Sequence, residues 1–295
     1  MKVLVTGVKG QLGYDVVNEL TSRGHEAVGV DIEEMDITDP DNVQDVIPSC
    51  HPDAVIHCAA WTAVDAAEDE ANRELVKRVN SDGTKTIAGI CRDLDIPLMY
   101  ISTDYVFDGK GTTPWEPDQK DYAPLNIYGQ TKLAGELAIN ELLDKFFIVR
   151  IAWVFGVHGN NFIKTMLNAG ATHDTLTVVN DQIGTPTYTY DLARLLVDMI
   201  ETKKYGYYHA TNEGGYISWY DFACEIFRQA AALGHACYDS SNLTVKPVST
   251  AEYGISKAAR PFNSRLDKQK LRQQGFTPLP DWKDALARYL QTIEI

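Results

Sequence analysis

The chain opens on a short apolar run, Lys2–Thr6, then glycine, then apolar positions at helical spacing over Gln11–Arg23. The same alternation repeats. Ala27–Asp31 reads as a second strand closed by an acidic residue, and Met35-Asp36-Ile37-Thr38 as a loop before a short helix capped by Asp39. Ala54–Ala60 and Leu98–Ser102 read as third and fourth strands, separated by one long helical stretch from about Ala71 to Leu94. Phe147–Ala152 is the expected fifth strand and Leu176–Val179 the sixth. Strands alternating with helices of this length form βαβ units, and their near-continuous Val/Ile/Leu content fits a sheet covered on both faces. The predicted fold class is therefore α/β, a doubly wound parallel sheet of Rossmann-like type.

Beyond residue 185 the pattern is less regular. Asp191–Glu201 and Ser218–Leu233 read as amphipathic helices, the second with Trp219, Phe222, Ile226 and Phe227 on one face. Gly206–Ala210 reads as a short strand, and helices around Asp267–Gln274 and Asp281–Thr292 close the chain. These segments predict a smaller α/β cap over the carboxyl edge of the sheet. Residues 1–150 form the sheet domain, which continues through parts of 151–215, and 151–295 are largely cap. The boundary is soft and the segments interleave.

Composition narrows the partners. The formal net charge of −14 argues against nucleic acid or an anionic membrane as the main partner. No run approaches the ~20 apolar residues of a bilayer span. The N-terminal strand reaches glycine too early for a secretory signal. Five cysteines (50, 58, 91, 224 and 237) without a Cys-x-x-Cys pair fit free thiols in a reducing compartment. The expected location is the cytoplasm. A homodimer is left open.

Gly7-Val8-Lys9-Gly10-Gln11-Leu12-Gly13 lies between the first strand and its helix. Glycines there let the backbone turn and approach a pyrophosphate, and the helix N-terminus offers free N–H groups to it. Residues 1–150 are thus a candidate dinucleotide-binding domain. Asp31, at the end of the second strand, is placed to accept from an adenosine ribose and to repel a 2′-phosphate, which favours NADH over NADPH. Asp36 and Ile37 suit the adenine edge. Tyr128 and Lys132 share a helix face at i,i+4, where a neighbouring ammonium, together with the positive charge of an oxidised nicotinamide, is expected to favour the phenolate. Thr103 ends the fourth strand and is a candidate donor to a substrate carbonyl oxygen.

Gly7, Gly10 and Gly13, Asp31, Ala59-Ala60, Asn80, Ser102-Thr103-Asp104 and the Tyr128/Lys132 pair together resemble the extended short-chain dehydrogenase/reductase family. Further signatures spread over nearly the whole chain are similar to those of its nucleotide-sugar reductases. They include Pro124-Leu125-Asn126-Ile127-Tyr128-Gly129, Ala152-Trp153-Val154, Gly159-Asn160-Asn161-Phe162, Asp181-Gln182-Ile183-Gly184-Thr185-Pro186-Thr187 and Arg260-Pro261. The resemblance implies an NADH- or NADPH-dependent reduction of the C4 keto group of dTDP-4-dehydro-6-deoxy-L-mannose to dTDP-L-rhamnose. It implies Tyr128 as catalytic acid, Lys132 as its electrostatic partner and ribose ligand, and Thr103 as polariser of the keto oxygen. Gly7, Gly10, Gln11, Leu12, Gly13, Asp31, Asp36, Ile37, Ala60, Trp61, Thr62 and Asn80 would hold the cofactor, together with Tyr128 and Lys132. Trp153 and Asp104 would lie at the sugar, with Asn161, Lys164, Gln182 and Arg260 toward the diphosphate. Trp61 departs from the histidine that many relatives carry there. Some relatives bind a divalent ion through acidic side chains. Asp15 is one such candidate here, but Tyr190 stands where a second acid would be expected, so no metal is predicted.

Two other readings stay open. An epimerase of this fold would retain its cofactor through the reaction, and a non-catalytic NADP-binding regulatory subunit would lack turnover. A dehydratase is disfavoured, because Tyr105 rather than a second carboxylate follows Thr103-Asp104.

Overall fold

The computed structural model describes all 295 residues. Five strands of the main sheet come from the first half of the chain: β1 (Lys2–Thr6), β2 (Glu26–Val30), β3 (Ala54–His57), β4 (Leu98–Thr103) and β5 (Phe146–Ile151). The sixth is Gly206–His209. The spatial order is β2, β1, β3, β4, β5 and Gly206–His209, with every pairing parallel. The chain runs outward from β1 to β2 and then crosses back to β3 on the other side of β1. That reversal opens a crevice at the carboxyl ends of β1 and β3, the usual ligand position in such sheets.

Side chains alternate between the two faces, as strand geometry requires. Val3, Val5, Ile56, Met99, Ile101 and Val149 meet the helices Gln11–Ser22 and Thr189–Ile200. Leu4, Val55, Leu98, Tyr100 and Ile148 meet Pro40–Cys50, Thr84–Asp93 and Ile127–Leu142. A second core, built from Phe155, Ile163, Leu167, Phe222, Ile226, Trp282, Leu286 and Tyr289, forms the cap. Its main helix, Trp219–Ala232, starts in a capping box between Ser218 and Asp221. No helix is long and apolar enough to cross a membrane.

The structure corrects three expectations. Thr175–Val179 is a strand but not the sixth of the main sheet. It is covered only at its end and pairs in parallel with Thr244–Val248, a strand whose Pro247 hid it from the sequence pattern. The stretch expected as one helix over 71–94 is divided into Glu70–Lys77, a π-helical segment Arg78–Gly83, and Thr84–Asp93. β3 ends at His57 rather than Ala60, because the following residues leave the sheet to form a cavity wall.

Candidate active site

A cavity of about 860 Å3 runs along the carboxyl edge of the sheet and under the cap. One end is the glycine loop. Gly7 has φ of 72°, and a Cβ there would lie 2.7 Å from the backbone of Ala59, so only glycine lets the loops after β1 and β3 meet this closely. The helix Gln11–Ser22 begins at Gly10 without a side-chain cap or an acidic residue in its first turn. Gln11, Leu12 and Gly13 therefore bring uncapped N–H groups to the cavity wall, a site suited to an anion. Asp31 accepts from the backbone N–H of Lys9 and of Ile32, both at 2.9 Å, and so fixes the adjoining turn. Ile37, Ala60, Trp61, Thr62 and Asp36 continue the same wall. Asp36 also accepts from the Thr38 backbone and hydroxyl, which holds its loop in shape.

The other end carries the candidate chemistry. Asn126 caps the helix Ile127–Leu142 by accepting from the Gly129 N–H at 2.8 Å, and this sets Tyr128 in the first turn, at the cavity. The Tyr128 ring meets Tyr105 edge-on at 5.6 Å. Burial raises its phenol well above the ordinary tyrosine value, and the facing Thr103 hydroxyl only partly opposes the rise. Thr103 donates to Asp104 Oδ1 at 3.1 Å. Burial pushes the Asp104 carboxyl up to about 6, against the pull of Ser264 and Thr103. Asp104 Oδ2 and Ser102 Oγ are buried at the cavity without a partner. Such groups are costly unless a polar ligand completes them, so this wall fits a hydroxyl-rich substrate. Trp153 completes the floor. Its backbone has φ of 53°, a strained value for a tryptophan, and its ring stacks on Trp219 at 3.8 Å.

Lys132 departs from the expected arrangement. Its Nζ donates to the Ile101 carbonyl at 2.7 Å rather than lying against the phenol. Burial lowers its pKa from 10.5 to about 7, with Glu136 opposing. The Tyr128 phenol is accordingly held protonated by burial, and Lys132 by itself does not bring it to the phenolate.

The description "RmlD substrate binding domain" matches residues 1–295, the full length of the chain. The chain belongs to this family. A dTDP-4-dehydrorhamnose reductase of Aggregatibacter actinomycetemcomitans is 39% identical, and the match covers 97% of both chains. A solved dTDP-4-dehydrorhamnose reductase of Clostridium acetobutylicum superposes with a TM-score of 0.91 at 40% identity, over 99% of each chain. That of Bacillus anthracis, solved in complex with NADP, gives the same score and identity over 99% of this chain and all of that one.

In this member of the family, five residues expected at the ligand stand away from the cavity. Asn80 lies behind the wall. Its Oδ1 accepts from the Trp61 N–H at 2.8 Å, and its Nδ2 donates to the Trp61 carbonyl and to Thr131, each at 3.2 Å, so it supports the cavity wall from outside. Asn161 caps the helix Phe162–Gly170 and donates to Gly156, Gln11 and Tyr289. Lys164 is spent on the Val157 and Gly159 carbonyls. Gln182 donates to Thr250. Arg260 pairs with Asp65 at 2.7 Å and touches the Tyr105 hydroxyl. Each polar side chain has found an internal partner, which sequence spacing does not reveal. Conversely, Phe162, Trp219 and Phe222 line the cavity, although helical spacing read the last two only as one face of an amphipathic helix. Tyr105, read from the sequence only as the missing second carboxylate, joins them, as do Cys58 and Val64, which carried no sequence signal.

The buried lysine has a measurable cost. Its folded pKa, about 7, lies below the unfolded value of 10.5. Between the two the unfolded chain binds more protons, so this group's contribution to stability is full above the unfolded value and is lost as pH falls to the folded one. Lys132→Met is expected to melt higher than wild type below about pH 7, by on the order of 2–4 °C for each kcal/mol regained, with the gap closing toward about pH 10. Thermal melts of both proteins across that range check this. A gap that does not change with pH would show that Lys132 is not depressed.

Proposed function

We propose that this chain reduces the C4 keto group of dTDP-4-dehydro-6-deoxy-L-mannose to the hydroxyl of dTDP-L-rhamnose, in the cytoplasm, at the expense of NADH or NADPH. The observation that carries this reading is one cavity with an uncapped glycine-loop helix end at one side and the Tyr128 phenol facing the Thr103 hydroxyl at the other. When bound, a reduced nicotinamide supplies the hydride. Tyr128 delivers its proton to the keto oxygen as that oxygen gains charge, and its raised pKa keeps the proton in place at neutral pH until then. Thr103 polarises the same oxygen. Lys132, at the cavity wall, would hold ribose hydroxyls of the bound cofactor and would return a proton toward Tyr128. Asp104 and Trp153 position the sugar, and the N–H groups of Gln11, Leu12 and Gly13 hold the cofactor pyrophosphate.

The adenosine end favours NADH. Asp31, Glu33 and Glu34 gather there, and the one nearby lysine, Lys9, is paired with Glu33. A 2′-phosphate would meet this negative field. Asp31→Asn is expected to raise kcat/KM for NADPH relative to NADH by about fivefold, since removing one such repulsion is worth on the order of 1 kcal/mol. Steady-state kinetics with both cofactors read the ratio. An unchanged ratio removes Asp31 from cofactor choice.

Purified protein mixed with NADH or NADPH and dTDP-4-dehydro-6-deoxy-L-mannose tests the activity. The expected result is a fall in nicotinamide absorbance matched mole for mole by dTDP-L-rhamnose. Sugar conversion without net cofactor oxidation would instead mark an epimerase. Cofactor binding without any conversion would mark a regulatory subunit.

A further inference from the structure

Tyr100 lies outside the cavity, in the middle of β4 and fully buried. β4 alternates, so Ile101 turns toward one face of the sheet while Tyr100 turns toward the helix Ile127–Leu142. Lys132 on that helix places its Nζ 3.9 Å from the centroid of the Tyr100 ring while bonding the Ile101 carbonyl. The ring has no freedom to move aside. Its hydroxyl lies 3.4 Å from both the Asn80 and the Lys132 carbonyl oxygens. Gly135 lets the helix settle on it, since a Cβ there would fall 2.6 Å from that hydroxyl oxygen.

We propose that Tyr100 is a positioning residue for Lys132, whose aromatic face stabilises the buried ammonium and fixes its direction at the cavity wall. The proposal rests on the reading that Lys132 serves the hydride transfer. No carboxylate does this work directly. Glu136, one turn along the same helix, is the one carboxylate acting on Lys132, and it is committed to Arg150 through two bonds of 2.9 and 2.7 Å. From β3, His57 is held neutral by burial, with its pKa lowered to about 3. Cys58 is held as the thiol, pushed up to about 12. Tyr128, one turn back, stays protonated. With its neighbours neutral or occupied, the ammonium has the negative face of the Tyr100 ring and one carbonyl to offset its desolvation.

The test reads the Lys132 ionisation directly, by 13C NMR titration of its Cε, alongside the alkaline limb of kcat/KM. Tyr100→Phe keeps the ring face and is expected to match wild type in both. Tyr100→Leu is expected to move both midpoints down by about one pH unit, since a desolvated cation–π contact is of that size. Phenylalanines carrying one, two and three fluorines at position 100 keep the shape and withdraw the negative face, so they test the idea even if the leucine variant folds poorly. They are expected to move the midpoints down in steps. Wild-type midpoints in the leucine variant or the fluorinated series overturn the proposal. A shifted NMR midpoint with an unshifted rate profile also overturns it, and locates the failure in the role given to Lys132 rather than in the contact with Tyr100.

Discussion

Tyr128→Phe is expected to keep its affinity for NADH and NADPH and to lose at least about a hundredfold in kcat, the scale set by removal of a positioned general acid. The structure separates the two effects. The phenol stands at the Thr103–Asp104 end of the cavity, while the glycine loop and Asp31 lie at the other, so loss of one oxygen leaves the dinucleotide contacts intact. The ring also stays, with its edge-on contact to Tyr105, so the fold is not at risk. Fluorescence titration with each cofactor and single-turnover reduction of the keto sugar measure the two quantities. Turnover near wild type would end the assignment of Tyr128 as acid. A parallel loss of cofactor affinity would mean that the phenol binds rather than donates.

Arg150→Met is expected to cost about 3–5 kcal/mol of stability, the range for breaking a buried ion pair from one side. Arg150 and Glu136 are both wholly buried and joined by two charge-assisted bonds. The remaining guanidinium donors reach the Pro117 carbonyl and the Tyr122 hydroxyl, each at 3.1 Å, and His209 Nε2 at 3.4 Å. The rings of Phe107 and Tyr207 lie 5.0 Å from the guanidinium carbon. Removing the arginine strands the Glu136 carboxylate in this apolar setting. The double variant Arg150→Met/Glu136→Leu is expected to recover most of the loss, because neither charge then remains to be desolvated. Urea denaturation of wild type, both singles and the double completes the cycle. A single-variant loss below about 1 kcal/mol would mean that water reaches the pair.

The sheet was legible because burial on two faces leaves a direct mark on composition. β1, β4 and β5 are near-continuous apolar runs, and each falls within a residue of its sequence-read bounds. The glycine loop, Asp31, Thr103 and Tyr128 were legible for a related reason. They sit at strand ends or in a first helical turn, positions fixed by local chain geometry once the strands are known. All of them line the cavity. The diphosphate candidates were not legible in this way. Asn161, Lys164, Gln182 and Arg260 are polar residues in irregular segments, and their bonding depends on carbonyls and carboxylates brought near by folding.

The amino-acid order alone therefore determined the parallel α/β layer, the glycine loop at the cavity and the presence of the phenol beside the crevice, since each follows from period, glycine placement and neighbours close in the chain. Tertiary packing alone decided three other things: the pairing of Thr175–Val179 with Thr244–Val248, the burial of Arg150 against Glu136, and the seating of the Lys132 ammonium on Tyr100 and the Ile101 carbonyl. Each joins residues 14 to 69 positions apart or on different layers, where the energy of desolvation is set by what surrounds a group in space, and no pattern along the chain encodes it.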